Sequence, residues 1–166
     1  MSTRTLVILR HAKADRPSGV VDLERPLTER GHADAAAAGA WLVARGYQPE
    51  LVLCSPAKRT RQTWRGASVA LAGAPEATVR YEPMLYGDGV DEALDLVRHL
   101  PDQVRIALLI GHNPTTSILS ALLDTASGRD NDGLRTSGLA AHAHEGAWSG
   151  YGPGTAPLVA RHTARA

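Results

Sequence analysis

Short apolar runs that alternate with helix-forming stretches constrain the fold of this chain more than any other feature. Thr5–Leu9 and Leu51–Cys54 are nearly continuous in Leu, Val and Ile, the pattern of strands buried on both faces of a parallel sheet. Thr78–Tyr81 and Arg105–Ile110 predict a third and a fourth strand. The helical stretches between them have readable ends. Thr28 is an N-cap with Glu29 in its first turn, and Gly46 stops that helix after Arg45. Ser55-Pro56 and Asn113-Pro114 each set a capping side chain before a proline at the first helical position, and predict helices to Leu71 and Asp124. Asp91–Leu100 reads as a helix halted by Pro101. Beyond Asp124, Ser127–Gly133 is a turn-forming loop by composition, and Leu139–His144 and Pro157–His162 predict two strands joined without a helix, hence antiparallel. The whole order reads as a three-layer α/β/α sandwich with a mostly parallel central sheet.

A length of 166 residues suits a single domain spanning 1–166 and leaves no room for a second, cofactor-binding domain. The net charge of +1 offers no general attraction to nucleic acid or to an anionic membrane. Cys54 is the only cysteine, which excludes an intrachain disulfide and a Cys-rich metal site and suits a reducing compartment. The apolar run Leu6–Leu9 is broken by Arg10 and His11, too short for a secretory signal. No stretch approaches the ~18 apolar residues that span a membrane. The expectation is a cytoplasmic protein with neither nucleic-acid nor membrane partner. Of the 18 basic residues only Lys13 and Lys58 are lysines. A GC-rich coding habit accounts for most of that surplus of arginine, so position must decide which arginines matter.

In open α/β sheets ligands sit just beyond the carboxyl ends of the strands. The first run ends in Arg10-His11, the second in Cys54-Ser55-Pro56 with Lys58, Arg59 and Arg61 in the following turns. The third ends at Glu82 and the fourth in Gly111-His112-Asn113-Pro114. A lone histidine at a strand end is ordinarily a solvated polar residue, and Glu82 alone is an ordinary loop carboxylate. Four junctions that bring two histidines and several arginines to one edge are another matter, because helix starts at such an edge also bind anions, phosphate above all.

The same residues carry a family resemblance. Arg10-His11-Ala12 resembles the Arg-His signature that opens the histidine phosphatase superfamily, the phosphoglycerate-mutase-like fold, with Ala12 where Gly is usual. Leu27-Thr28-Glu29-Arg30-Gly31 is similar to its Leu-Thr-x-x-Gly segment, Ser55-Pro56-Ala57-Lys58-Arg59-Thr60-Arg61-Gln62-Thr63 to its Ser-Pro-x-x-Arg-x-x-x-Thr element, and Gly111-His112 to its late Gly-His element. The length is that of the short, SixA-type phosphohistidine phosphatase branch.

The resemblance implies a nucleophile at His11, phosphate-holding arginines at Arg10 and Arg59, and a second pocket histidine at His112. Ser55 and Asn113 would add hydrogen bonds to substrate, although capping alone explains them. Glu82, with Asp88 second, is the candidate acid for the leaving group. No metal or other cofactor is called for. The expected activity is a metal-independent phosphohydrolase working through phospho-His11, with a phosphorylated protein as substrate. The alternatives are a small phosphorylated substrate hydrolysed with broad specificity, and a phosphate-recognition module that does not turn over. His142 and His144 share a strand face but have no third ligand at metal-site spacing, and read as solvated strand histidines. The sequence leaves the oligomeric state open.

Overall fold

The computed structural model describes residues 2–87, 89–125 and 133–166. Strand β1 (Thr3–Arg10) leads through a long loop with a 3-10 turn at Asp22–Glu24 into α1 (Glu29–Ala44). Then come β2 (Leu51–Cys54), α2 (Lys58–Val69), β3 (Thr78–Tyr81), the single turn α3 (Met84–Gly87) and α4 (Val90–Arg98). The chain continues with β4 (Ile106–Gly111), α5 (Thr115–Leu123), β5 (Gly138–Glu145), a 3-10 turn at Trp148–Gly150 and β6 (Leu158–Thr163). The six strands form one sheet in the order β3-β2-β4-β1-β5-β6. β3, β2, β4 and β1 are parallel, and β5 runs antiparallel to both β1 and β6.

Strand alternation sends successive residues to opposite faces, and two cores result. Leu6 and Ile8 of β1 pack with Leu109 of β4, Ala93 and Val97 of α4, and Leu119 and Leu123 of α5. Val7 and Leu9 pack on the other side with Leu108, Ile110, and Ala38 and Leu42 of α1, with Trp64 of α2 against them. The arrangement is the expected α/β/α sandwich. It also fixes where a ligand can go. β1 and β4 are neighbours, yet β1 connects to α1 on one face and β4 to α5 on the other. Their carboxyl ends therefore diverge into a crevice, the topological switch point at which such sheets bind ligands.

Two expected helix starts are corrected. α2 begins at Lys58 with Ala57 as N-cap and no side-chain cap, not at Ser55-Pro56. Ser55 Oγ instead accepts from the Ala57 N–H at 3.3 Å and lies 2.8 Å from His112 Nε2, so its hydroxyl is spent at the crevice. α5 begins at Thr115 after Pro114. Asn113 precedes the cap, and its Oδ1 accepts from the hydroxyls of Thr116 and Ser117 at 2.7 and 2.6 Å rather than from backbone. Thr28 does cap α1, accepting from the Gly31 N–H at 2.9 Å. The turn α3 was not foreseen, and most of the expected Ser127–Gly133 loop lies outside the described residues.

Candidate active site

Arg10 and Gly111 are direct partners in the β1/β4 ladder, so His11 and His112 leave the sheet side by side. Their ring centroids are 5.2 Å apart. The His11 Nδ1 lies 2.7 Å from the Ala12 carbonyl, which accepts only from an N–H. That contact fixes the tautomer and leaves the lone pair on Nε2. The segment after His11 is clamped in turn. The Ala12 N–H donates to Thr63 Oγ1 at 3.0 Å, the Thr28 N–H to the Lys13 carbonyl at 2.9 Å, and Gly31 packs so closely that a Cβ there would stand 2.1 Å from the Lys13 carbonyl oxygen. The Thr and Gly of the recurrent motifs thus hold the loop that orients His11.

The cations stand around this pair. Arg10 donates from Nη1 to the Leu134 carbonyl at 3.1 Å. Arg59, second residue of α2 and 6% exposed, donates from Nη1 to the Asp22 carbonyl at 2.8 Å and from Nη2 to Asp22 Oδ2 at 3.1 Å. Three buried side-chain nitrogens have no hydrogen-bond partner among the described residues: Arg10 Nε, Arg59 Nε and His112 Nδ1. Each lies at this one site. Ser55 Oγ already accepts from Ala57, so its proton is free to go to His112 Nε2, which puts the remaining ring proton on Nδ1. The arrangement then presents three unpaired donors and one imidazole lone pair. Buried donors without partners cost about 1–3 kcal/mol each, and a tetrahedral oxyanion would satisfy all of them.

Burial pushes the His11 imidazole down to about 4, and the charges of Arg59, Arg10 and Arg25 push the same way against the Ala12 contact. Burial, then His11 and Arg59, hold His112 down to about 3. Both rings are neutral at pH 7. His11 is consequently a free-base imidazole beside fixed positive charge, the state a nucleophile toward phosphorus requires.

The remaining expected residues fall into different places. Asn113 spends its amide nitrogen on the Leu134 carbonyl at 2.9 Å and its oxygen on Thr116 and Ser117, so it braces the segment that carries Leu134. Glu82 is half-buried and its carboxylate makes no hydrogen bond or ion pair with any described residue. β3 is two strands from β4, roughly 10 Å at ~4.8 Å per strand. What the third junction brings to the site is Tyr86 of α3, whose ring stands edge-on to His112 with centroids 5.7 Å apart. Asp88 lies outside the described residues. His142 is buried rather than solvated, with Nε2 on Ser120 Oγ at 2.7 Å and Nδ1 on the Ala156 carbonyl at 2.9 Å, while His144 Nδ1 meets the Thr155 carbonyl. No group of three or more His, Cys, Asp or Glu among the described residues could hold a metal ion. Burial pushes the Cys54 thiol up to about 12, so it behaves as a small core residue.

Sequence reading missed Asp22, Arg25 and Tyr86. Asp22 Oδ1 accepts from Arg25 Nη1 at 3.0 Å and Oδ2 from the Tyr86 hydroxyl at 2.6 Å. The one local signal was the Asp22-x-x-Arg25 spacing ahead of Pro26.

A doubly wound sheet with two neutral histidines and unpaired arginine donors at its switch point defines a phosphatase of the phosphoglycerate-mutase-like kind. The chain belongs to the histidine phosphatase superfamily (branch 1), whose profile matches residues 6–88. It is 37% identical over 164 residues to Rv1276c of Mycobacterium tuberculosis, an uncharacterized protein, covering 95% of this chain and 100% of that one. Among solved structures it resembles SixA of Nakamurella multipartitia, described as a candidate phosphohistidine phosphatase, with TM-score 0.85, 34% identity, and 99% and 98% of the two chains covered. It also resembles a protein histidine phosphatase SixA complexed with tungstate, at TM-score 0.79, 25% identity and 96% of each chain. No described helix is long and apolar enough to cross a membrane.

Proposed function

We propose that this protein is a metal-independent phosphohydrolase that acts through a phosphohistidine at His11 Nε2, with a phosphohistidine-bearing protein as substrate. The observation that carries the reading is the set of unpaired buried donors, Arg10 Nε, Arg59 Nε and His112 Nδ1, gathered about that nucleophile. The Nε2 lone pair attacks phosphorus. The bond to the leaving nitrogen breaks, and the leaving imidazole keeps the electron pair and takes a proton from solvent. Water then attacks phospho-His11, the P–Nε2 bond breaks, and phosphate leaves with the histidine neutral again. Charge spread over the equatorial oxygens is stabilised by the fixed donors, which supply most of the catalysis in such a transfer.

The protein substrate is favoured by the short connection between the third and fourth strands. Between Glu82 and Gly111 the chain holds the turn α3, the helix α4 and the strand β4, with no long insertion to cover a small molecule. The resemblance to SixA structures supports the same choice.

The test is direct. Labelled phosphoramidate should leave an acid-labile, alkali-stable phosphoryl group on the wild type and none on His11→Ala, with turnover unchanged by a chelator. Rates on phosphohistidine protein, sugar phosphates, nucleotides and an aryl phosphate then rank the substrates. A sugar or nucleotide phosphate preferred by orders of magnitude would sink the protein-substrate reading, and no adduct and no turnover would leave a recognition module. Because imidazole departs without help, Glu82→Gln should keep phosphohistidine hydrolysis within about threefold. A fall of about 10²-fold or more would make Glu82 the general acid after all.

A further inference from the structure

Arg59 has two working edges, and the crevice explains only one of them. Of its five N–H donors, one on each terminal nitrogen is taken by Asp22: Nη1 by its carbonyl at 2.8 Å and Nη2 by Oδ2 at 3.1 Å. The Nε–H is buried and unpaired. Asp22 therefore grips the terminal nitrogens of the guanidinium and leaves the Nε–H on its side edge buried without a partner among the described residues. The contact thus leaves one Arg59 donor, Nε–H, available to a phosphoryl group.

Asp22 is itself held from two directions. Arg25 reaches Oδ1 at 3.0 Å, and the Tyr86 hydroxyl, which follows the third strand, reaches Oδ2 at 2.6 Å. The loop that bears Asp22 is anchored at its base by the Ala14–Leu27 bridge, the Asp15 N–H on the Pro26 carbonyl at 2.8 Å, and Arg25 Nε on the Asp15 carbonyl at 2.9 Å. With about half its side chain exposed, 52%, Asp22 is screened by water, and its ion pair with Arg59 alone adds little to folding stability. A guanidinium on a long side chain, by contrast, has much rotamer freedom to lose, and holding it in the bound geometry beforehand removes that loss from the binding step.

We infer that Asp22 is a positioning residue of the phosphate pocket: clasped by Tyr86 across the mouth of the crevice, it fixes Arg59 so that the Nε edge faces the phosphoryl group. The inference rests on the reading that a phosphoryl group binds beside His11. It adds to that reading a residue that never touches substrate.

A double-mutant cycle on the full chain tests it, with inorganic phosphate affinity measured by calorimetry and kcat and KM measured on a phosphohistidine substrate. Asp22→Ala should weaken phosphate binding and lower kcat/KM by about tenfold, equivalent to about 1.4 kcal/mol. In the Arg59→Ala background the same change should alter neither by more than about twofold, because the group it acts through is gone. Tyr86→Phe should follow Asp22→Ala in direction with a smaller loss. Equal losses in both backgrounds, or tighter phosphate binding by Asp22→Ala, would overturn the inference. The two claims also fail separately. A coupled cycle in phosphate binding with no phosphoenzyme and no turnover in the wild type would end the hydrolytic reading and leave Asp22 its role. Normal turnover with an additive cycle would do the reverse.

Discussion

His11 and His112 meet in the crevice, and their burial there should make the protein acid-sensitive. In the unfolded chain each titrates near ~6.5; in the fold burial holds them to about 4 and about 3. Below pH ~6.5 the unfolded chain takes up protons that the native pocket refuses. Their contribution is therefore fully present above ~6.5 and is lost as pH falls toward the folded values. Between pH 7 and 5 this amounts to up to about 2 kcal/mol per histidine. Urea melts of wild type and His11→Ala at the two pH values should show the variant losing less, and an identical loss in both would refute the assignment. At this scale the sequence pointed to the crevice residues: Arg10, His11 and His112 stand at the ends of apolar runs, and Arg59 lies five positions past Cys54 in a Ser-Pro-x-x-Arg element. It missed Asp22 and Tyr86 because their contact joins an aperiodic loop to a turn 64 residues away. Nothing in the composition of either segment announces that meeting.

Among the elements, the packing of α1 on α2 is the most exacting. A Cβ at Gly39 would stand 2.1 Å from the Ala67 carbonyl oxygen and 2.8 Å from its Cα, contacts that no side-chain adjustment relieves. In an exposed helix Gly→Ala would gain up to about 1 kcal/mol. Here the backbone clash must win, and Gly39→Ala should cost about 1–3 kcal/mol or more by forcing the helices apart. Equilibrium denaturation measures it, and a stabilised variant would show that the approach of the two helices is not needed. The elements themselves were readable from apolar runs and glycine stops, with β2 and β3 matching to the residue. The starts of α2 and α5 were misread, since Ser55 and Asn113 have the chemistry of caps but spend it on His112 and on Thr116 and Ser117. α3 is too short to leave any periodicity.

For the molecule as a whole, stability should grade across the sheet. β1 and β4 lie inside it, buried by both cores, whereas β3 and β6 are its edges and largely exposed. Amide exchange should run slowest in β1 and β4, through global unfolding alone, and faster in β3 and β6 through local opening. Uniform protection across the strands would contradict this gradient. The layer order was legible because each apolar run is long enough for one strand and each connection for one helix. The strand order was not, because it depends on pairings between distant segments.

The β1/β4 pairing has a kinetic consequence. His11 and His112 are 101 positions apart in the chain and adjacent in the crevice. Loop closure must come before their meeting, and contacts of such span form late in folding. The helices can form and the α1/α2 pair can dock on local contacts alone. Phosphate binding should therefore return with the final refolding phase, after most helical circular dichroism has recovered. A nascent or partly folded chain would carry His11 without His112 beside it, and under the proposed function it would not act on a phosphorylated substrate until the sheet had closed.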